Sequence, residues 1–167
     1  MRWFDVGLLA GSGLDRGASR LGAWGRGRQV LGDLPLLVTL SATYAVRPSS
    51  EQVAVSWLTL GAGLGAHSTW TAVRVDLRVH MELMVAHVRA QVRDEATGRD
   101  DSGDTWSGGF LGGLGAAWPH ASPAALVVGV DGWTLARRTE ILVGDQRFAS
   151  SPSIGMTFLI GAEFALP

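Results

Sequence analysis

Between Thr71 and Val85 the chain alternates without a break. Thr71, Val73, Val75, Leu77, Val79, Met81, Leu83 and Val85 occupy one parity, and Arg74, Asp76, Arg78, His80 and Glu82 occupy the other. Successive side chains of a β-strand point to opposite faces, so this segment sets an aliphatic row against a ladder of charges. At about 15 residues it is also longer than a common globular strand. A water-facing strand scatters its polar residues, whereas a continuous aliphatic row backed by continuous charge suits a barrel with greasy walls and a polar interior.

Composition agrees with a β protein that exposes apolar surface. Hydrophobic residues make up 47% of the 167 residues and charged residues 17%, against roughly 25% charged in a typical soluble domain. No uninterrupted apolar run reaches the roughly 18 residues of a transmembrane helix, so any spanning structure must be built from strands. The length suits one domain over residues 1–167. A net charge of −1, without a basic cluster interleaved with aromatics, gives no reason to expect nucleic acid as a partner. There is no Cys, which removes disulfides and thiolate metal sites. Met1 to Ala10 carries a single Arg and then Asp5, which does not match a secretory signal. An exported barrel needs one, so the chain is read as a mature form, a fragment of a larger barrel, or a product with a misplaced start.

Alternation and Gly/Pro punctuation divide the chain into about eight strands: 3–11, a weaker 19–30, 36–46, 53–66, 71–92, 106–118, 125–136 and 153–166. In the fourth, Gly61, Gly63 and Gly65 share the inward parity, where a narrow barrel needs room for bulky neighbours. In the fifth, the apolar parity changes after Val85 to Ala86, Val88, Ala90 and Val92, as expected of a strand leaving a bilayer or of a bulge. The connections alternate: 32–35, 67–69 and 119–123 are short, while 12–18, 93–105 and 137–152 are longer, with 47–51 the exception. An antiparallel up-and-down transmembrane β-barrel has this rhythm.

Trp106 and Trp118 share an outward parity. Twelve steps of about 3.3 Å at a tilt near 40° rise roughly 30 Å, the hydrocarbon thickness of a bilayer. With Tyr44, they are the candidate membrane-interface aromatics. Strict parity turns Trp3, Trp70 and Trp133 inward.

The inward charges Asp5, Arg74, Asp76, Arg78, His80, Glu82, Asp131 and Glu163 are expected to meet in a lumen that eight strands leave too narrow for a channel. Paired charges and hydrogen bonds there offset the cost of burial. The alternative use is a proton-coupled or ligand-binding lumen. No catalytic, cofactor or metal residues are assigned. His120-Ala121-Ser122 lacks a neighbouring carboxylate to orient the His, and its flanking prolines make it a turn. Asp94, Glu95, Asp100, Asp101 and Asp104 do not have Ca²⁺-loop spacing, and GAGLG and GSGLDRG lack a nucleotide fingerprint.

The pattern resembles the small outer-membrane β-barrels of Gram-negative bacteria, the eight-stranded outer-membrane protein A and X types. The last segment, SIGMTFLIGAEFALP, is similar to their C-terminal strand, with Phe164 as the aromatic read by the barrel-insertion machinery, although Ala165-Leu166-Pro167 follow it. The GLLAGSGLDRG opening and LGDLPLLVTLSATYAV are similar to barrel proteins of myxobacteria. The resemblance implies a bacterial outer-membrane location, a monomer in contact with outer-membrane lipids and lipopolysaccharide, no wide pore, and a structural or surface-interaction role rather than an enzyme. Arg137, Arg138 and Arg147 are then candidates to contact lipopolysaccharide phosphates.

The competing reading is a soluble lipocalin-like barrel carrying a hydrophobic small molecule, with Val73, Val75, Leu77 and Val79 lining a cavity and the charges in water. The directions of Leu77 and Arg78 separate the two.

Overall fold

A computed structural model describes residues 2–14, 18–32, 34–47, 53–93, 100–120, 122–138, 140–143, 146–150 and 152–166. The strands are β1 (Arg2–Leu14), β2 (Ala18–Val30), β3 (Leu36–Val46), β4 (Val53–Trp70), β5 (Val75–Arg93), β6 (Asp100–Trp118), β7 (Ala124–Leu135), β8 (Glu140–Val143), β9 (Gln146–Ser150) and β10 (Ile154–Leu166). β1 to β7 and β10 form a closed barrel in the order β1-β10-β7-β6-β5-β4-β3-β2, all pairs antiparallel. β8 and β9 make a separate hairpin between β7 and β10. Closure leaves the barrel without an open edge.

The register fixes the stagger. The pairing path Leu36–Ala66–Val79–Leu114–Val130–Phe158–Ala10–Leu21 returns to β3 at Val46, ten residues beyond its start. With about 3.3 Å per residue and about 4.8 Å between strands, this shift tilts the strands by roughly 40°. Every residue on the path is apolar, and each is exposed or half-exposed. An oily line therefore winds once around the outside.

Leu77 is 45% exposed and Arg78 is 4% exposed. The aliphatic row faces out and the charges face in, the reverse of what a lipocalin-like carrier requires. The same division holds on β3, where Leu40 and Tyr44 face out while Leu37, Thr39 and Ser41 are buried, and on β10, where Phe158 and Ile160 face out while Thr157, Leu159 and Glu163 are buried.

Several boundaries differ from the sequence reading. β4 continues through His67–Thr69 to Trp70, and the reversal falls at Thr71–Arg74, where Arg74 adopts φ 55 and its amide donates to the Thr71 carbonyl. Arg74 is thus exposed in the turn rather than part of the charge ladder. Trp70 belongs to β4 instead of the following strand, takes the outward parity of β4, and is 66% exposed. Most of the segment expected as a loop at 93–105 is strand, since β6 begins at Asp100, and the segment 137–152 contains the β8–β9 hairpin.

The parity change in β5 is not a bulge, because its pairing with β4 and β6 runs unbroken from Asp76 to Val92. Met84, Ala86 and Val88 point inward into an apolar part of the lumen, while His87, Arg89 and Gln91 take the outer face, as expected of a strand rising above an apolar band.

Candidate functional site

The lumen has two unlike halves. Near the short turns it holds an ion-pair network contributed by six strands, β1, β2, β4, β5, β7 and β10. From β2, Arg26 lies with Nε 3.2 Å from Glu82 Oε1 and Nη2 2.7 Å from Asp131 Oδ2. Its neighbour on the same face, Arg28, pairs with Asp5 of β1 and lies 3.7 Å from Glu163 of β10. From β5, Arg78 donates through Nε to Asp76 at 2.7 Å and through Nη2 to Glu163 at 3.0 Å. His80 Nε2 is 3.2 Å from Asp131 on β7. The Ser41 hydroxyl donates to Glu82, and His67 and Thr69 approach Asp76 at 3.3 Å. Among the described residues Asp76, Asp131 and Glu163 each have two basic neighbours and Asp5 and Glu82 one each, and such pairing offsets part of the cost of burying their charges.

Seven of the eight lumen charges read from the sequence, Asp5, Asp76, Arg78, His80, Glu82, Asp131 and Glu163, are buried in this network. Arg74 is not. The sequence reading missed Arg26 and Arg28, and with them Arg20 higher on the same strand. Their signal was present: Arg20, Trp24, Arg26 and Arg28 share one parity. On the opposite parity Gly25 and Gly27 replace the aliphatic residues that marked β5, and Phe4 of β1 lies beside the space at Gly25, where an added Cβ would stand 3.4 Å from the ring.

Glycines make room for the network. A side chain at Gly61 would meet the Glu82 carboxylate and the Ser41 hydroxyl, and one at Gly113 would meet Asp131 and the His80 ring. These are close approaches rather than turns, so the inward glycine row of β4 is a packing device as expected.

Toward the longer loops the interior becomes largely apolar. Leu9, Trp24, Ala45, Val55, Trp57, Val88 and Leu159 share one cluster, which Ala117, Ala125 and Val127 carry down one side of the barrel to the short-turn end, and Met84, Ala86, Leu111, Trp133 and Leu135 form a second. The Trp24 indole N–H reaches the Leu8 carbonyl at 3.1 Å, so this ring is anchored to the wall.

On the outside, Tyr44, Trp106 and Trp118 are all exposed. Tyr44, Leu58, His87 and Trp106 form one cross-strand row over β3 to β6, and the next row toward the loops is Val46, Ser56, Arg89 and Asp104. The His87 ring stacks on Trp106 at 4.5 Å and its Nε2 lies 3.2 Å from Asp104. The outer surface changes from apolar to polar across these two rows. At the opposite end Trp70 and Trp118 are the exposed indoles.

Arg137 and Arg138 are exposed just beyond β7. Arg147 is in β9, and its side chain lies outside the described residues, as do Asp94 and Glu95. The His120 amide donates to the Arg74 carbonyl, tying two short turns together.

No protein-family model matches the chain, and no curated protein matches its sequence. Solved structures match its fold. A major outer membrane protein of Thermus thermophilus superposes with a TM-score of 0.69 at 12% identity, covering 98% of this chain and 99% of that one. OprG of Pseudomonas aeruginosa gives 0.66 at 12% identity over 98% and 94%, and Neisserial surface protein A gives 0.64 at 12% identity over 98% and 97%. The chain has the fold of the small eight-stranded outer-membrane β-barrels.

Proposed function

We propose that this chain is inserted in a bacterial outer membrane as a monomeric, plugged barrel with a structural or surface-interaction role. One observation carries the reading: the apolar band is continuous around the barrel, with Leu8 68%, Leu40 62%, Leu64 62%, Met81 68%, Leu83 66% and Phe158 62% exposed. Surface of that kind, far larger than the few hundred Å² of apolar patch on a soluble monomer, calls for acyl chains as its solvent. The exposed aromatics at both ends of the band support interfaces there. The ion-pair network supports a closed lumen, and no catalytic role is assigned to it. β10, with Phe164 facing out, is the segment offered to the barrel-insertion machinery. Arg137, Arg138 and Arg147 are offered to lipopolysaccharide phosphates.

Fractionation tests the reading. The protein is expected in the outer-membrane fraction, resistant to carbonate extraction, and recovery in solution without detergent would overturn the membrane location. In planar bilayers the Arg78→Ala protein is expected to lose heat stability without gaining conductance; a new conductance would instead assign the lumen a gating role. Replacing Arg137, Arg138 and Arg147 by Ala should reduce lipopolysaccharide co-purification, and unchanged co-purification would refute that contact.

A further inference from the structure

Arg20 stands apart from the other lumen arginines. It lies on β2 opposite Gly11 of β1, on the loop side of the network, and is 7% exposed. Its Nη2 donates to the Thr157 hydroxyl at 3.0 Å, and its guanidinium lies 4.9 Å from the centroid of the Trp133 ring. Both partners are neutral. The carboxylates of the network are engaged elsewhere: Asp5 by Arg28, Asp76 by Arg78, Glu82 by Arg26, Asp131 by Arg26 and His80, and Glu163 by Arg78.

Two donors in this cluster have no acceptor among the described residues. They are the Nε–H of Arg20 and the indole Nε1–H of Trp133, itself 5% exposed. A guanidinium always carries its charge and offers donors only, and an indole offers a single donor. The Thr157 hydroxyl, having accepted from Arg20, still has a hydrogen to give. Met84, Ala86, Leu111 and Leu135 surround Trp133 with apolar wall, where an unmatched charge is costly and a matched one is strong.

We infer that Arg20, Trp133 and Thr157 form a binding site for a small oxyanion, a carboxylate or a phosphate, at the loop-side end of the lumen. The anion supplies what the described residues do not give this cluster: a negative charge for Arg20 and acceptor oxygens for Arg20 Nε–H, the Trp133 indole and the Thr157 hydroxyl. The site is separate from the ion-pair network and does not depend on the proposed cellular role.

Equilibrium dialysis of the folded barrel in a nonionic detergent, against radiolabelled acetate and against radiolabelled inorganic phosphate, tests it. At least one of the two is expected to bind saturably, at about one per barrel, and the preferred anion tells a carboxylate source from a phosphate source. The Arg20→Gln protein should bind about tenfold or more weakly, the effect of losing a charge-assisted bond. Trp133→Phe, which keeps the ring and removes the N–H, should weaken binding several-fold, whereas Arg89→Gln on the outer face should leave it unchanged. Heat-modifiable gel mobility checks that each variant is folded, and if Arg20→Gln fails that check, Arg20→Lys and Trp133→Phe decide. Absence of saturable binding to both anions, or binding unaltered by the Arg20 and Trp133 changes, overturns the site.

Discussion

β5 faces two interiors from one unbroken strand. Asp76, Arg78, His80 and Glu82 meet other charged groups near the short turns, while Met84, Ala86 and Val88 meet aliphatic and aromatic side chains nearer the loops. The first half depends on direction, since each carboxylate has its own arginine or histidine at a defined atom. The second half depends on volume and area and is indifferent to which apolar atom touches which. A tube this narrow can be filled by either means, and the two should fail differently when altered.

Shape-conserving substitutions sharpen that difference. Glu163→Gln keeps the volume and removes a charge that Arg78 and Arg28 share; because Asp76 and Asp5 still pair with them, it is expected to destabilise the barrel by about 1.5–3 kcal/mol, the range for a hydrogen bond to a charged group. Urea unfolding in lipid vesicles, followed by tryptophan fluorescence, measures it. A comparable or smaller effect is expected from Gly113→Ala, whose methyl group must displace both Asp131 and the His80 ring and presses on the Val130 carbonyl; about 1–3 kcal/mol is the usual range for overpacking. The same titration applies, and a neutral result would mean that the network gives way more readily than its geometry implies. The smallest change belongs to the apolar half: Leu111→Met should cost less than about 1.5 kcal/mol. If Leu111→Met and Glu163→Gln were equally damaging, the contrast between the halves would fail.

The parts of the fold that could be read from the chain are those where a charged or polar parity stands against an aliphatic one. β3 has the limits expected of it, and β5 and β10 present the expected faces. The turn after β4 was hidden because Thr71, Val73 and Arg74 prolong the alternation of β5 by accident of composition, while the actual reversal depends on Arg74 taking a positive φ that no pattern announces. Trp70 was misassigned for the same reason, since one residue of strand membership reverses the face of a side chain.

Within the site, the acidic partners were legible and two of their arginines were not. Parity assigns a face only when the other face declares itself, and the outward glycines of β2 do not. Register was beyond reach altogether: nothing local tells Arg26 that its partners will come from β5 and β7, because those pairings follow from how far the closed sheet is sheared. The apolar half of the lumen was invisible on similar grounds, as its residues look like outward ones until neighbouring strands place them.

One detail of the closing pair has a consequence for assembly. Asp5 of β1 and Glu163 of β10 stand directly opposite each other where the two ends of the sheet join, and two carboxylates so placed repel. Their repulsion is offset by Arg28, on the strand after β1, and by Arg78, halfway round the circumference. At this one pair the terminal strands by themselves carry a small penalty, which is removed only when β2 and β5 have delivered both guanidinium groups. The join is thus a latch whose two keys are carried by other strands, so its charges are balanced only in the closed barrel.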